Sequence, residues 1–198
     1  MKTLRTFLLA FATLFIFSEA TTAQTKTVDL DKQSGTVEWE GKKIGGGHDG
    51  EIDIKDGKLT FNNGELTKAH VIIDMTSIVN HDIDDPESKA KLVGHLKSDD
   101  FFGVENYPEA EFKSTSIEAK GSGEYHIKGN MSIKEDTNPV EFTAQVSTSK
   151  SSYSAEGSFK IDRSKYNVRY GSKSFFDNLG DKVIYDDFTI TFKLNGSM

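Results

Sequence analysis

Residues 124–133, Glu124-Tyr125-His126-Ile127-Lys128-Gly129-Asn130-Met131-Ser132-Ile133, decide the fold. Tyr125, Ile127, Met131 and Ile133 fall at alternate positions among polar neighbours. Side chains two apart in an extended chain share a face, so this stretch reads as a strand with one apolar and one wet side. The next run repeats the pattern with Val140, Phe142, Ala144 and Val146. Working outward, Tyr153, Ala155, Phe159 and Ile161 share a face, as do Phe188, Ile190, Phe192 and Leu194. Toward the N-terminus, Val37 and Trp39 alternate with Glu38 and Glu40, then come Ile52 with Ile54, Leu59 with Phe61, and Val71, Ile73 and Met75 together. Turn chemistry falls between the runs at Asp56-Gly57, Asn62-Asn63-Gly64, Gly121-Ser122-Gly123 and Asn138-Pro139. The pattern predicts eight or nine strands, mostly joined as hairpins.

No long amphipathic helix is available to cover the apolar side of an open sheet, so the sheet must cover itself, as a sandwich or as a barrel. Closure into a barrel also removes the exposed edges that invite aggregation. Strands of about 10 residues, longer than the usual five or six, favour a tall barrel. With about eight strands, a barrel interior either fills with side chains or holds one small ligand. Two segments interrupt the β pattern. Asp85 suits the cap of a helix with Pro86 in its first turn, with Leu92, Val93 and Leu96 on one side and Gly94 as a candidate break. A short turn follows at Ser98-Asp99-Asp100-Phe101-Phe102, and a second interruption at residues 172–180 carries Phe175 and Phe176. Both read as capping segments that lay aromatic rings across one end of a barrel. The same four rings would equally suit a filled core.

The first two dozen residues have the pattern of a secretory signal: Lys2 and Arg5, an apolar run from Leu4 to Phe17, and small residues up to Ala23. The expectation is cleavage near Ala23, a single domain over residues 24–198, and a periplasmic or secreted product. The chain has no cysteine, so neither a lipid-anchored cysteine nor disulfides enter. Its formal net charge is −7. Such an acidic surface does not suit phosphate backbones, and nucleic acid is not an expected partner.

Catalytic signatures are sparse, with no Gly-x-Ser-x-Gly elbow, no His-Glu-x-x-His and no cysteine nucleophile. Gly45-Gly46-Gly47 precedes a strand, which favours a hairpin over a phosphate loop. Asn80, Asp82, Asp84 and Asp85 fail as a calcium loop because Asp85 stands where glycine is needed and Lys91 where glutamate is needed. None of the five histidines has metal-ligand spacing, and no metal or cofactor is expected. His70 and His126 lie on the polar phase of their strands. His95 and His48 are the two that could meet a ligand's polar end.

Several stretches together resemble the YceI family, also called polyisoprenoid-binding protein-like. The strongest is Leu92-Val93-Gly94-His95-Leu96-Lys97-Ser98-Asp99-Asp100-Phe101-Phe102, followed by Tyr107-Pro108, Ala110 and Phe112. Val37-Glu38-Trp39, His48-Asp49-Gly50, Ile73-Asp74-Met75-Thr76-Ser77-Ile78 and Arg169-Tyr170-Gly171 support it, from about Ser34 to Leu194. The resemblance implies an all-β, extended eight-stranded antiparallel lipocalin-like β-barrel with an isoprenoid or other lipid chain in an apolar pore. It also implies association of some members with cytochrome b561-type membrane proteins or quinone handling, and it leaves a homodimer open. Glu135 departs from the glycine of many members in the turn before a Pro-Val pair, here Pro139-Val140.

The expected function is therefore a carrier of a polyisoprenoid or quinone-like chain. Trp39, Ile73, Met75, Phe112, Phe142 and Phe159 are expected to line the tube, and Leu92, Leu96, Phe101, Phe102, Phe175 and Phe176 to stand at its mouth. His48, His95 and Arg169 are the candidate head-group contacts. The rival is an enzyme using the same cavity, with His95 and Asp99 as an acid–base pair.

Overall fold

The computed structural model describes residues 24–198, so the expected signal segment lies outside the described residues. The described chain forms nine strands: β1 (Thr25–Leu30), β2 (Gly35–Lys43), β3 (Gly46–Asn62), β4 (Glu65–Asp74), β5 (Glu109–Gly121), β6 (Glu124–Ile133), β7 (Asp136–Thr148), β8 (Ser152–Asp162) and β9 (Ile184–Ser197). One α-helix, α1 (Pro86–Lys97), lies between β4 and β5. Neighbours run in the order β3-β2-β9-β8-β7-β6-β5-β4, all antiparallel, and β4 pairs back onto β3 to close an eight-stranded barrel. β1 is the ninth strand. It continues the edge that β2 leaves: β2 pairs with β3 from Gly46 to Ile52, and β1 with β3 from Gly57 to Asn62.

Two expected turns fall inside strands. Asp56-Gly57 sits within the 17-residue β3, where the register with β4 slips between Ile54 and Asp56. The extra residue makes a bulge and moves the buried phase from Ile52 and Ile54 to Leu59 and Phe61. Gly57 is needed there because a Cβ would lie 2.5 Å from the His70 carbonyl oxygen. Asn138-Pro139 lies within β7, and the chain reverses earlier, at Lys134 with φ of 56°. Val146 donates its N–H to Gly123 on the β6 side, and the β6–β7 register is unbroken, so Pro139 faces the β8 edge. The β7–β8 ladder runs only from Ala144↔Gly157 to Thr148↔Tyr153. Pro139 therefore sits where no ladder bond is asked of its missing N–H.

Helix α1 starts as expected, with the Asp85 carboxylate accepting the Ser88 N–H at 2.8 Å and proline in the first turn. Gly94 does not break it. The helix runs on to Lys97, because Gly94 faces open space and costs only modest helix propensity. The two ends of the barrel differ. At one, Phe61 and Tyr153 pack with ring centroids 5.8 Å apart, β1 buries Val28 and Leu30, and Thr148 Oγ1 donates across to the Gly64 carbonyl. That end is a floor. The other end carries the β2–β3 hairpin, α1 and the long β8–β9 connection.

Candidate functional site

The inward phase of the strands does not fill the barrel. A cavity of about 400 Å³ remains, lined almost wholly by hydrocarbon and aromatic side chains. Its deep part is walled by Leu59, Leu66, Ala69, Ala144, Val146, Ala155 and Leu194. Half-way up, four phenylalanines from four strands brace one another along one side of the bore. Phe142 stacks on Phe159 with centroids 4.4 Å apart and planes 13° apart, and it meets Phe112 at 5.5 Å and Phe192 at 5.9 Å. Glycines on the inward phase of β6 and β8 make room for these rings. A Cβ on Gly129 would enter the Phe112 ring, and one on Gly157 would lie 2.8 Å from Phe192. Strand glycines beneath neighbouring aromatic rings are a known packing device.

The upper part is closed by α1 and the segment before it. Leu92, His95 and Leu96, at helical spacing, turn one face of α1 to the cavity, with Phe101 and Phe102 beside them. Ile78–Asp82 takes over the β3 edge where β4 leaves it: Val79 N–H donates to Glu51, His81 N–H to Asp49, and Trp39 Nε1 to the Val79 carbonyl. Gly50 permits this approach, since a Cβ there would run into the Val79 oxygen.

Polar groups reach the cavity at this end. His48 lines it and bonds through Nδ1 to Asp82 at 2.9 Å. Asp82 also accepts the Asp49 N–H and the Asn80 amide. Burial opposes ionisation of Asp82, but these donors, His48 first, outweigh it and hold the carboxyl down at about 2. His95 is packed by rings, edge-on to Tyr170 at 4.4 Å and to Phe101 at 5.3 Å. No hydrogen bond or ion pair joins it to Asp99, the partner that the rival enzymatic reading gives it.

Arg169, Phe175 and Phe176, expected at the ligand, are not among the lining residues. Arg169 donates to Asn167 and lies 5.0 Å from the Phe175 ring, out on the surface. The guanidinium at the cavity is instead Arg163, only 3% exposed. Its N–H groups donate to the carbonyls of Tyr185, Val168, Tyr170 and Ile184 at 2.9–3.1 Å, and Asp186 lies 3.3 Å away. Burial pushes its pKa below the ordinary arginine value, with Asp186 and Asp162 opposing that shift. Arg163 thus staples the start of the β8–β9 connection to the first residues of β9. Nothing around Ile161-Asp162-Arg163-Ser164 distinguishes it in sequence from an exposed arginine. Among the described residues, no group of three or more His, Asp or Glu side chains is placed to hold a metal ion.

A closed antiparallel barrel with one floor, one capped end and an apolar internal cavity defines the lipocalin-like class of β-barrels. Within that class, the chain matches the YceI-like domain over residues 28–196, and it belongs to the YceI family. It is 32% identical over 95 residues to a UPF0312 protein of Shewanella denitrificans, covering 48% of this chain and 47% of that one. It is 29% identical over 130 residues to a UPF0312 protein of Photorhabdus laumondii, covering 60% and 63%. The match thus spans about half to two thirds of these curated relatives. Among solved structures, BcnA of Burkholderia cenocepacia superposes with a TM-score of 0.66 at 22% identity, covering 84% of this chain and 98% of that one. A polyisoprenoid binding domain from Saccharophagus degradans, implicated in plant cell wall breakdown, superposes with a TM-score of 0.61 at 14% identity, covering 84% and 95%. These two likenesses establish the fold.

Proposed function

We propose that this protein binds and carries an apolar lipid chain, of the isoprenoid or quinone-like class, without changing it chemically. The observation that carries this reading is the 400 Å³ cavity, hydrocarbon-lined along its length with His48 and His95 at the capped end. An apolar chain gains roughly 25 cal/mol per Å² removed from water, enough to hold it across an aqueous space. A polar head would meet the imidazoles of His48 and His95, while the chain runs down past the phenylalanine brace to the floor. The family and the polyisoprenoid-binding neighbour support the ligand class. In this reading the protein acts after export, in the periplasm or outside the cell, and exchanges cargo with a membrane partner of the cytochrome b561 type.

Native mass spectrometry of protein purified without detergent, followed by solvent extraction, tests the proposal. A stoichiometric isoprenoid or quinone is expected. Protein that carries nothing and ignores added polyprenyl alcohols would overturn it.

A further inference from the structure

The outer rim of the capped end is built from exposed apolar side chains, most of which the cavity does not use. Ile44, Tyr170, Phe175, Phe176 and Tyr185 are all between 38% and 51% exposed, and with Val79 they are the exposed large hydrophobics among the described residues. All but Val79 lie on the β2–β3 hairpin tip, the β8–β9 connection and the first residues of β9. These segments are tied together: Ile44 N–H donates to Val183 and Ile184 N–H to Gly171, while Phe175 and Phe176 both donate to the Ser172 carbonyl. Ser172 is fully buried, and Arg163 clamps the carbonyls of Tyr170, Ile184 and Tyr185 from below. The rings are therefore held in place on the surface, and Tyr170 and Tyr185 also line the cavity. Tyr170 and Tyr185 thus carry apolar surface from the interior to the outside, beside Lys42 and Lys43.

The charge on this lip opposes that of the rest of the chain. Segments 41–46 and 169–185 carry Lys42, Lys43, Arg169, Lys173 and Lys182 against Asp177 and Asp181. Glu40 pairs with Lys42 and Arg163 faces Asp186, so the lip keeps a net of about +2 in a chain of net −7. Exposed amphipathic rings set among cations match a bilayer surface: aromatic residues settle at the headgroup level, and lysine and arginine are drawn to anionic lipid. The segment beside the β2–β3 tip, where Asp82 bonds His48 and Asp84, Asp85 and Glu87 follow, is acidic. Contact would thus be one-sided, with the barrel leaning on its basic lip.

We propose that the lip formed by the β2–β3 tip and the β8–β9 connection docks this protein on an anionic bilayer. This deepens the carrier reading by giving the barrel its lipid source, and it rests on that reading for its purpose.

The test is flotation of residues 24–198, which hold all nine described strands and the core they bury, with vesicles of equimolar phosphatidylglycerol and phosphatidylcholine or of phosphatidylcholine alone. Binding to the anionic vesicles that falls as salt rises is expected. Phe175→Ser/Phe176→Ser and Lys173→Glu/Lys182→Glu should each weaken it about tenfold. None of these four side chains lines the cavity, so both variants should retain an apolar fluorescent probe as the parent does. Wild-type protein that retains the probe but floats with neither vesicle would overturn the docking proposal and leave the carrier reading intact. Equal flotation of wild type and both variants would also overturn it. So would rim-dependent self-association without flotation, which would make a second copy the partner.

Discussion

Affinity should climb with ligand chain length and then stop at a length set by the cavity. At the ~30 Å³ that one water molecule takes up in the liquid, 400 Å³ holds about 13 atoms of a chain. Each methylene buried contributes about 0.8 kcal/mol, so each added carbon should tighten binding about fourfold until that length is reached. Ala155→Leu moves the limit. Ala155 lies deep on β8, opposite Val146 and Leu194, and all three line the cavity. The three added carbons should displace about three carbons of ligand, costing the longest chains about 2.4 kcal/mol, or about 60-fold, and short chains little. The assay is displacement of an apolar fluorophore by a homologous series of alcohols, with melting temperatures confirming that the variant folds. Affinity that ignores chain length, or a limit that Ala155→Leu leaves in place, would refute the assignment of the deep pocket as the chain site.

Three further outcomes follow from the packing and hydrogen bonding. Gly129→Ala should cost about 2 kcal/mol in urea denaturation, because its methyl enters the Phe112 ring and comes 2.6 Å from the Lys113 carbonyl oxygen, and Gly129→Ala/Phe112→Leu should recover only the part due to the ring. Arg163→Met should cost about 3 kcal/mol in the same assay by leaving four carbonyls without their donors, and hydrogen exchange should report a loosened β8–β9 connection. Asp82 has its pKa lowered from 3.8 to about 2 in the fold, so its contribution is complete above pH 3.8 and fades as pH falls toward 2. That shift is worth about 2 kcal/mol at full strength and about 1 after solvent screening, since the side chain is 31% exposed. The stability gap between wild type and Asp82→Asn should accordingly close across that window, and a gap independent of pH would contradict the assignment.

Period-two alternation made the wall of this barrel legible, because each inward strand position is decided by the residue two away. Trp39, Ile73, Phe112, Phe142 and Phe159 line the cavity for that reason, Met75 lines it from the turn just past β4, and Leu92, His95 and Leu96 do so because helical spacing stacks them on one face. The errors came where one backbone device imitates another. Asp-Gly suits a reversal, yet it equally suits a bulge, and within β3 it shifts the phase by one residue and lets the strand continue. Asn-Pro suits a turn, yet Pro139 is tolerated in β7 because the neighbouring ladder has not begun at its level. No local pattern could reveal that tertiary fact. Arg163 was hidden for a similar reason: its four acceptors lie 5 to 22 residues away and converge only in the fold.

The unfilled bore is itself an energetic statement. At about 24 cal/mol per Å³, a 400 Å³ void forgoes about 10 kcal/mol of packing, as much as a typical domain's entire stability. Mutation of any inward alanine to a larger apolar residue would recover part of it, yet Ala69, Ala144 and Ala155 keep the deep end wide. The phenylalanine brace keeps the middle open: stacking Phe142 on Phe159 aligns their planes, and Gly129 and Gly157 let Phe112 and Phe192 lie back over the neighbouring strands. A chain of about 13 carbons at about 0.8 kcal/mol each would contribute about 10 kcal/mol, close to the amount the void forgoes. A barrel built this way gives up packing among its own side chains in proportion to what an apolar guest can restore.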